Sequence, residues 1–274
     1  MRFLDGKGTL LCFELGGLES DMLSQEQITQ FKRDGHLVVE QLIDNRSIAE
    51  LRSRVETIAS GRTTFPEGNI EFEPGTKTPG MHIDNLRKLN DCAKYDPVFM
   101  EHAKLSVLLD SVENLIGPDI KLLGDQLFMK PPGGMEKTYH QDSPYFAIRP
   151  MELVSSWTAL DDVTLENGCL WVVPGSHHGG PLSHSEVWMV GDREDMHVPD
   201  ASIDRDREKP VLLKAGDVSF HHGLLLHRSG PNRTTKRRRG LATHYMSAQS
   251  RWTGDPLAQP TYPLLRGRSY KGCV

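Results

Sequence analysis

Cysteine is scarce in this chain of 274 residues, and its four cysteines lie far apart. They form no CxxC pair, which argues against a zinc ribbon and against a disulfide-rich scaffold. No stretch reaches the roughly 18 consecutive apolar residues that a membrane-spanning helix needs. The first residues also lack the architecture of a signal peptide, because charged residues interrupt their apolar run. We therefore expect reduced thiols and a cytoplasmic location.

Neither sign of charge is in large excess. The formal net charge is −5, so the chain as a whole should attract neither nucleic acid nor an anionic membrane surface. One basic run, Lys236–Arg239, stands out. Its solvated members are expected on a strand edge, where charge discourages edge pairing. We expect one domain over residues 1–274 with a small molecule as its partner, and the oligomeric state stays open.

Residues 1–117 are predicted to be mostly helical. Ser24 can cap a first helix, and Asp44 or Asn45 can cap a second one. Apolar residues recur at helical spacing after both caps. The segment 61–80, rich in Gly, Pro, Thr and Glu, is predicted to be an irregular loop. The three predicted helices cover residues 24–34, 44–60 and 97–116, and a strand follows the first of them.

From residue 118 the pattern changes to short β-rich runs separated by turn residues. Several such strands over residues 118–250 predict a sandwich, a barrel or a jelly roll. Residues 181–210 are polar and charged and interrupt this pattern. Long insertions of this kind are often lids over a site, although a solvated loop without a role fits the same composition.

A metal site is indicated by His140 and Asp142, because residues i and i+2 of an extended segment project from one face. His227 is the candidate for a third ligand. Two histidines and one carboxylate on one face leave three coordination positions open, which is the arrangement of non-haem Fe(II) oxygenases. An HxD triplet alone is weak evidence, since the chain contains a second one at residues 82–84.

A cosubstrate site is indicated by the segment that follows His227. A strand is predicted to end there, the sequence SGPN turns the chain, and another strand begins near Gly240. His227 and Arg238 can then face one another across neighbouring strands. A guanidinium binds a carboxylate through two parallel charge-assisted hydrogen bonds, as anchoring a dicarboxylate requires. Ser229 can add a hydroxyl donor.

The HQD motif at residues 140–142, followed by His227 and by an arginine eleven residues later, resembles the phytanoyl-CoA dioxygenase family. The resemblance implies a mainly β fold with flanking α-helices around a double-stranded β-helix, the cupin-like jelly roll. It implies Fe(II), 2-oxoglutarate as cosubstrate and O2, with succinate and CO2 as products. The expected reaction is oxidation, usually hydroxylation, of a small or medium organic substrate. The matching segments are residues 130–134, 140–146, 157–162 and 166–177.

The resemblance also implies roles for individual residues. The metal ligands would be His140, Asp142 and His227. The residues at the 2-oxoglutarate site would be Arg238, Ser229, Gln141, Trp157, Gln126 and Lys88, with Arg87 an equally possible register for the last. A carboxylate at position 142 favours oxygenation, because halogenating relatives have a small residue there.

The substrate side is less defined. His82, Arg87, Lys137 and Arg149 are polar candidates near the expected mouth, and they favour a small or medium anionic substrate. For His82 a simple turn is an alternative role. The other histidines near predicted strand ends either line the site or are structural; these are His177, His178, His221, His222 and His244. Two further functions remain open: a cupin-like metalloenzyme that does not use 2-oxoglutarate, and a non-catalytic jelly-roll module.

Overall fold

The computed structural model describes residues 23–74, 82–190 and 193–274. Its first two helices begin and end where the sequence predicts. Ser24 accepts a hydrogen bond from the amide of Gln27 in a capping box, and Asp44 caps the second helix. The helices are α1 (Gln25–Asp34), α2 (Asn45–Ala59), α3 (Cys92–Tyr95), α4 (Pro97–Ala103) and α5 (Ser106–Ile116).

The single helix predicted over residues 97–116 is wrong, because α4 and α5 are separated at Lys104 and Leu105. The break lets the two halves bury their apolar residues in different clusters. Phe99 of α4 packs with one cluster of core residues, and Leu108 of α5 packs with another. Periodicity alone did not indicate this break, since both halves keep the helical spacing.

Most strands lie after residue 118, where the β-rich runs begin, but β1, β2 and β3 precede it. In chain order they are β1 (His36–Val39), β2 (Ile70–Phe72), β3 (Leu86–Asn90), β4 (Ile120–Lys130), β5 (Lys137–His140), β6 (Ile148–Arg149), β7 (Leu153–Ala159), β8 (Leu170–Val172), β9 (Glu186–Val190), β10 (Arg193–His197), β11 (Lys209–Val211), β12 (Val218–His222), β13 (His227–Ser229), β14 (Arg238–Ser247), β15 (Arg251–Trp252) and β16 (Leu264–Arg266). None of the helices within the described residues has the length and apolar character needed to cross a membrane.

Two antiparallel sheets form the core. The major sheet has the order β1-β12-β7-β14-β4-β3-β2, with β16 beside β4, and the minor sheet has the order β11-β8-β13-β5. Trp157 and Ala242 of the major sheet pack with Val172 of the minor sheet in one apolar cluster. The helices pack against the major sheet in two other clusters. The mainly β class with flanking helices is confirmed, and the space between the two sheets is where the predicted ligands lie.

Two segments differ from their sequence predictions. The loop predicted over residues 61–80 contains β2, which pairs with β3 and extends the major sheet; residues 75–81 lie outside the described residues. The insertion at 181–210 contains the antiparallel hairpin of β9 and β10. Short strands of this kind are set by tertiary pairing more than by local pattern.

Candidate metal and cosubstrate site

The three predicted metal ligands meet between the two sheets. His140 ends β5, His227 begins β13, and these two residues are paired across the strands. Asp142 follows β5 by two residues. The Oδ1 atom of Asp142 lies 4.0 Å from Nε2 of His140 and 3.6 Å from Nε2 of His227. Among the described residues this is the one group of at least three His, Cys, Asp or Glu side chains close enough to hold a metal ion.

Each histidine is held in the orientation that a metal ligand needs. Nδ1 of His140 lies 2.8 Å from the carbonyl of Thr138, and Nδ1 of His227 lies 3.0 Å from the carbonyl of Leu225. An Nδ1–H that donates to a carbonyl leaves Nε2 with its lone pair free for an ion. Burial lowers the pKa of His140 well below its ordinary value and that of His227 to about 4. Both imidazoles are therefore neutral at neutral pH.

The carboxylate of Asp142 is held by three further side chains. The hydroxyl of Ser155 donates to Oδ2 at 2.8 Å, and Nε2 of His221 lies 3.3 Å from the same oxygen. Nδ1 of His244 lies 2.7 Å from the Ser155 hydroxyl. Burial alone would raise the pKa of Asp142, but the surrounding histidines, His227 and His221 first, lower it well below its ordinary value. Oδ1 is thus left to face the two ligand nitrogens.

Arg238 and Ser229 lie in the same cavity, which measures about 690 Å³ with its open mouth. Arg238 is only 2% exposed, and burial lowers its pKa to about 10, so it stays charged at neutral pH. Its guanidinium carbon lies 5.2 Å from the centroid of the Trp157 ring, and its Nη2 donates to the carbonyl of Gly168 at 2.5 Å. Within the described part of the chain, its buried Nε has no hydrogen-bond partner. A buried cation with an unused donor suits a carboxylate ligand.

Lys130 is a second buried cation at this end of the cavity. It pairs with Arg238 across β4 and β14, and its Nζ donates to the Ser229 hydroxyl at 2.9 Å. Sequence reasoning placed residue 130 in a matching segment without giving it a role. The sequence held a signal for such a role. Lys130 is the last residue of β4, and pairing of β4 with β14 brings that residue close to Arg238.

The ring of Trp157 lies directly over Gly240. A Cβ atom added at Gly240 would lie 1.8 Å from Cζ2 of Trp157. Trp157 is 3% exposed and lines the cavity beside Arg238. The glycine therefore permits the close approach of ring and backbone that sets this wall of the cavity.

The position of the Gln141 side chain does not support the cosubstrate role predicted for it. Its side chain is fully buried and bonded to backbone: Nε2 donates to the carbonyls of Gly180 and Leu224, and Oε1 accepts from the amide of Leu182. Residue 141 does not line the cavity. Alternation is the physical reason, because neighbours of inward-facing residues in an extended segment face away.

Gln126 and Lys88 lie near the cavity but do not line it. Gln126 is two residues before Phe128, a lining residue, on the same face of β4. Lys88 pairs with Glu71 at 2.9 Å and lies 5.9 Å from the centroid of the Phe128 ring. The sequence left either Lys88 or Arg87 open for one cosubstrate position, and of these two residues Arg87 lines the cavity.

The two predicted substrate residues lie outside the cavity lining. His82 is exposed and forms a turn, in which its Nδ1 accepts from the amide of Asp84 at 3.2 Å. Arg149 is exposed on β6 and lines a separate groove with Met151. The turn alternative thus accounts for the second HxD triplet, whose carboxylate pairs with Arg237 at 3.1 Å.

The other histidines divide into two groups. His221 and His244 line the metal cavity. His177, His178 and His222 cluster elsewhere, with ring centroids 4.0 and 5.3 Å apart, beside the end of α1. Sequence reasoning gave all five the same weight, because strand position alone does not say which face a residue occupies in the folded sheet.

The donor set suits iron(II). Two neutral imidazole nitrogens and one carboxylate oxygen converge from one side, as in facial-triad sites, and the remaining side opens into the cavity. Backbone carbonyls and the Ser155 hydroxyl orient all three ligands from behind. The buried guanidinium in the same cavity suits a carboxylate of 2-oxoglutarate.

Sequence comparison gives a consistent result. The family model described as phytanoyl-CoA dioxygenase (PhyH) matches residues 31–240. The chain is 31% identical over 249 residues to a probable phytanoyl-CoA dioxygenase of Caenorhabditis elegans, covering 83% of this chain and 76% of the relative. It is 32% identical over 247 residues to the peroxisomal phytanoyl-CoA dioxygenase of Homo sapiens, covering 84% and 70%.

Solved structures share the fold. EctD from S. alaskensis, with 2-oxoglutarate and 5-hydroxyectoine, superposes with a TM-score of 0.73 at 22% identity, covering 92% of this chain and 86% of that one. The epimerase SnoN, in complex with Fe3+, alpha ketoglutarate and nogalamycin RO, superposes with a TM-score of 0.68 at 20% identity, covering 88% and 98%. These likenesses confirm the jelly-roll prediction. The family model and the relatives together show that this chain belongs to the phytanoyl-CoA dioxygenase family of iron(II)- and 2-oxoglutarate-dependent oxygenases.

Proposed function

We propose that this protein hydroxylates a small or medium organic substrate, and that His140, Asp142 and His227 hold the iron. The observation that carries the proposal is the convergence of two Nε2 atoms and one carboxylate oxygen in a buried cavity that also contains Arg238. A metal role explains why the buried carboxylate lies among neutral imidazoles without a lysine or arginine partner among the described residues.

The cosubstrate is assigned to the end of the cavity that Arg238 occupies. Its guanidinium and the Ser229 hydroxyl would bind the distal carboxylate of 2-oxoglutarate, with the Lys130 ammonium as a second positive charge. The Trp157 ring would keep the guanidinium in place. Because these groups are buried, a carboxylate that joins them is bound in a low-dielectric setting, where charge pairing is strong.

Iron supplies oxygen activation, and the balanced reaction is R–H + 2-oxoglutarate + O2 → R–OH + succinate + CO2. The contribution of the chain is to hold the cosubstrate and the target C–H bond together and to exclude water. A carboxylate at position 142, in place of the small residue of halogenating relatives, would leave no coordination position there for a halide, so oxygenation is the proposed outcome.

The test is consumption of 2-oxoglutarate by the purified protein with Fe(II), read as succinate, together with the charge-transfer absorption of 2-oxoglutarate bound to Fe(II). Asp142→Ala should abolish both signals. Asp84→Ala is the matched control, since it removes the carboxylate of the other HxD triplet, and it should keep them. Arg238→Lys should retain metal binding but weaken 2-oxoglutarate by about 10- to 100-fold, because a lysine cannot make the two parallel hydrogen bonds.

A protein that binds Fe(II) but not 2-oxoglutarate would instead be a cupin-like metalloenzyme of another kind.

We treat residues 1–274 as one catalytic domain, supported by the packing of the helices on the sheet that carries Trp157 and Arg238. The cytoplasmic location stays a prediction, since the human relative is named peroxisomal.

A further inference from the structure

Two cations at the mouth of the cavity share one carboxylate. Arg87 comes from β3 and Lys137 from β5, and both line the cavity that contains the triad. The Nζ of Lys137 lies 2.6 Å from Oδ1 of Asp195, and Nη2 of Arg87 lies 3.6 Å from Oδ2 of the same residue. The three side chains are 16%, 19% and 13% exposed, in the order Arg87, Lys137, Asp195. Arg87 and Lys137 thus form a partly desolvated anion-binding site, and the carboxylate of Asp195 occupies it.

That anion belongs to the insertion. Asp195 lies on β10, whose hairpin packs against β5, whereas both cations belong to the strands of the cavity wall. The aspartate therefore reaches the cavity from a separate element. A ligand carboxylate or phosphate could make the same contacts to Arg87 and Lys137 that the carboxylate of Asp195 makes.

The site lies close to the reacting centre. Lys137 is three residues before His140 and is paired with Ser229 across β5 and β13. Its charge is one of the causes that lower the pKa of both metal-binding histidines. Its Nζ also lies 3.1 Å from the hydroxyl of Tyr145, whose ring meets His140 edge-on at 6.2 Å. A molecule anchored on Lys137 would lie in the cavity that the three proposed metal ligands also line.

Most other charges nearby have partners of their own, but Glu71 also pairs with Arg87. Its Oε2 lies 2.8 Å from Nη1 of Arg87, whereas Nη2 of Arg87 is the atom near Asp195. Arg228, also in the lining, is engaged by Glu208 through two hydrogen bonds of 2.6 and 2.8 Å. Glu73 accepts from the amide of Met135 at 2.6 Å. Lys130 lies at the cosubstrate end, where it donates to Ser229. Arg87 and Lys137 are the lining cations that both lie close to Asp195.

We propose that the substrate carries a carboxylate or phosphate group, and that this group binds Arg87 and Lys137 in place of Asp195. This inference rests on the proposed function and adds the chemical class of the substrate. Selectivity follows from two sources: attraction of an anion by the cations, and competition by Asp195, which a weakly charged or cationic molecule cannot overcome.

The experiment uses the full chain loaded with Mn(II) and saturating 2-oxoglutarate, so that the cosubstrate site is filled and turnover is absent. Hexanoate, hexyl phosphate and hexylammonium are titrated calorimetrically. One or both anions should bind, and the ammonium should not. Asp195→Asn should tighten anion binding by about 3- to 10-fold, because it removes the internal competitor, while Lys137→Met should weaken it by at least about 10-fold.

Lys214→Met is the matched control, since Lys214 also pairs with an aspartate, Asp162, at 3.0 Å but lies outside the cavity. It should leave anion binding unchanged. The gain expected from Asp195→Asn cannot be produced by misfolding. If 2-oxoglutarate binds but the anions bind no better than hexylammonium, or if Asp195→Asn does not tighten them, the substrate class is wrong and the function stands. If 2-oxoglutarate itself does not bind, the proposed function fails first.

Discussion

The hydroxyl of Ser155 donates a 2.8 Å hydrogen bond to the carboxylate oxygen of Asp142 that faces away from the two ligand histidines. This contact orients the carboxylate, because it leaves Oδ1 facing Nε2 of His140 and of His227, where the proposed metal would bind. Ser155→Ala should therefore weaken metal binding by about 10- to 100-fold, as loss of such outer contacts commonly does. Titration with Mn(II) or Co(II) measures this directly.

Ser156→Ala is the control for that prediction. Ser156 is as fully buried as Ser155 but faces the opposite side of β7. It should leave metal affinity unchanged, and an equal loss in both variants would show that the effect is one of strand packing and not of carboxylate orientation.

Gly240→Ala should damage both stability and cosubstrate binding. The new methyl group would meet the Trp157 ring at 1.8 Å, so the ring must shift away from its place beside Arg238. Overpacking of this kind costs about 1–3 kcal/mol of unfolding free energy. Thermal melting and 2-oxoglutarate titration report the two losses.

Gly124→Ala is the matched change on the neighbouring strand β4. An added Cβ there comes no closer than 3.9 Å to Oδ1 of Asp91, which is an ordinary contact. Melting temperature and 2-oxoglutarate affinity should both stay near those of the natural protein. A Gly240→Ala variant that behaves in the same way would mean that the Trp157 ring does not lie where the structure has it.

Gln141→Ala distinguishes the cosubstrate role predicted from the sequence from the structural role that its backbone hydrogen bonds indicate. Three hydrogen bonds join its amide to the backbone of the segments around Gly180 and Leu224. Their loss should lower unfolding free energy by about 2–4 kcal/mol, at roughly 1 kcal/mol each plus the buried groups left unsatisfied. Affinity for 2-oxoglutarate, measured below the melting temperature, should change little. A selective loss of that affinity with normal stability would restore the cosubstrate role.

Asp125 should make stability depend on pH. It is 3% exposed, its carboxylate accepts only the amide of Ala93 among the described residues, and burial raises its pKa to about 7. A folded-state pKa above the ordinary value means that the folded protein binds the proton more tightly. Stability from this group is therefore present below about pH 4 and is lost as pH rises through 7.

Asp125→Asn should remove that dependence while keeping an acceptor for Ala93. Relative to the natural protein, the variant should gain about 1–3 kcal/mol of unfolding free energy between pH 5 and pH 8. Denaturant titrations at the two pH values measure the difference. An equal response to pH in both proteins would mean that the carboxyl ionises normally in the fold.

The parts of the fold that the sequence predicted well are those whose cause is local. Ser24 and Asp44 cap their helices through amides two or three residues away, so the caps are visible in a short window. The break between α4 and α5 was missed because its cause is distant: each half turns toward a different cluster. β2 was missed for the same reason, since three residues become a strand only by pairing with β3.

The proposed metal ligands and Arg238 could be found from the order and spacing of residue types, because paired antiparallel strands bring fixed positions together. Spacing says nothing about which way a neighbour points. It could not show that Gln141 turns its amide into the backbone of other loops, or that Ser155 of another strand holds Asp142.

The reaction class therefore follows from the sequence, where His140, Asp142, His227 and Arg238 stand in a recognisable order. The surroundings of the proposed iron site depend on the folded chain. Ser155, Lys130 and Asp195 come from strands far apart in sequence, and each reaches its partner at the cavity only when two sheets and a hairpin pack together. Hydrogen bonds and ion pairs are made between atoms a few ångströms apart, and no local pattern of residues encodes such distances across the chain.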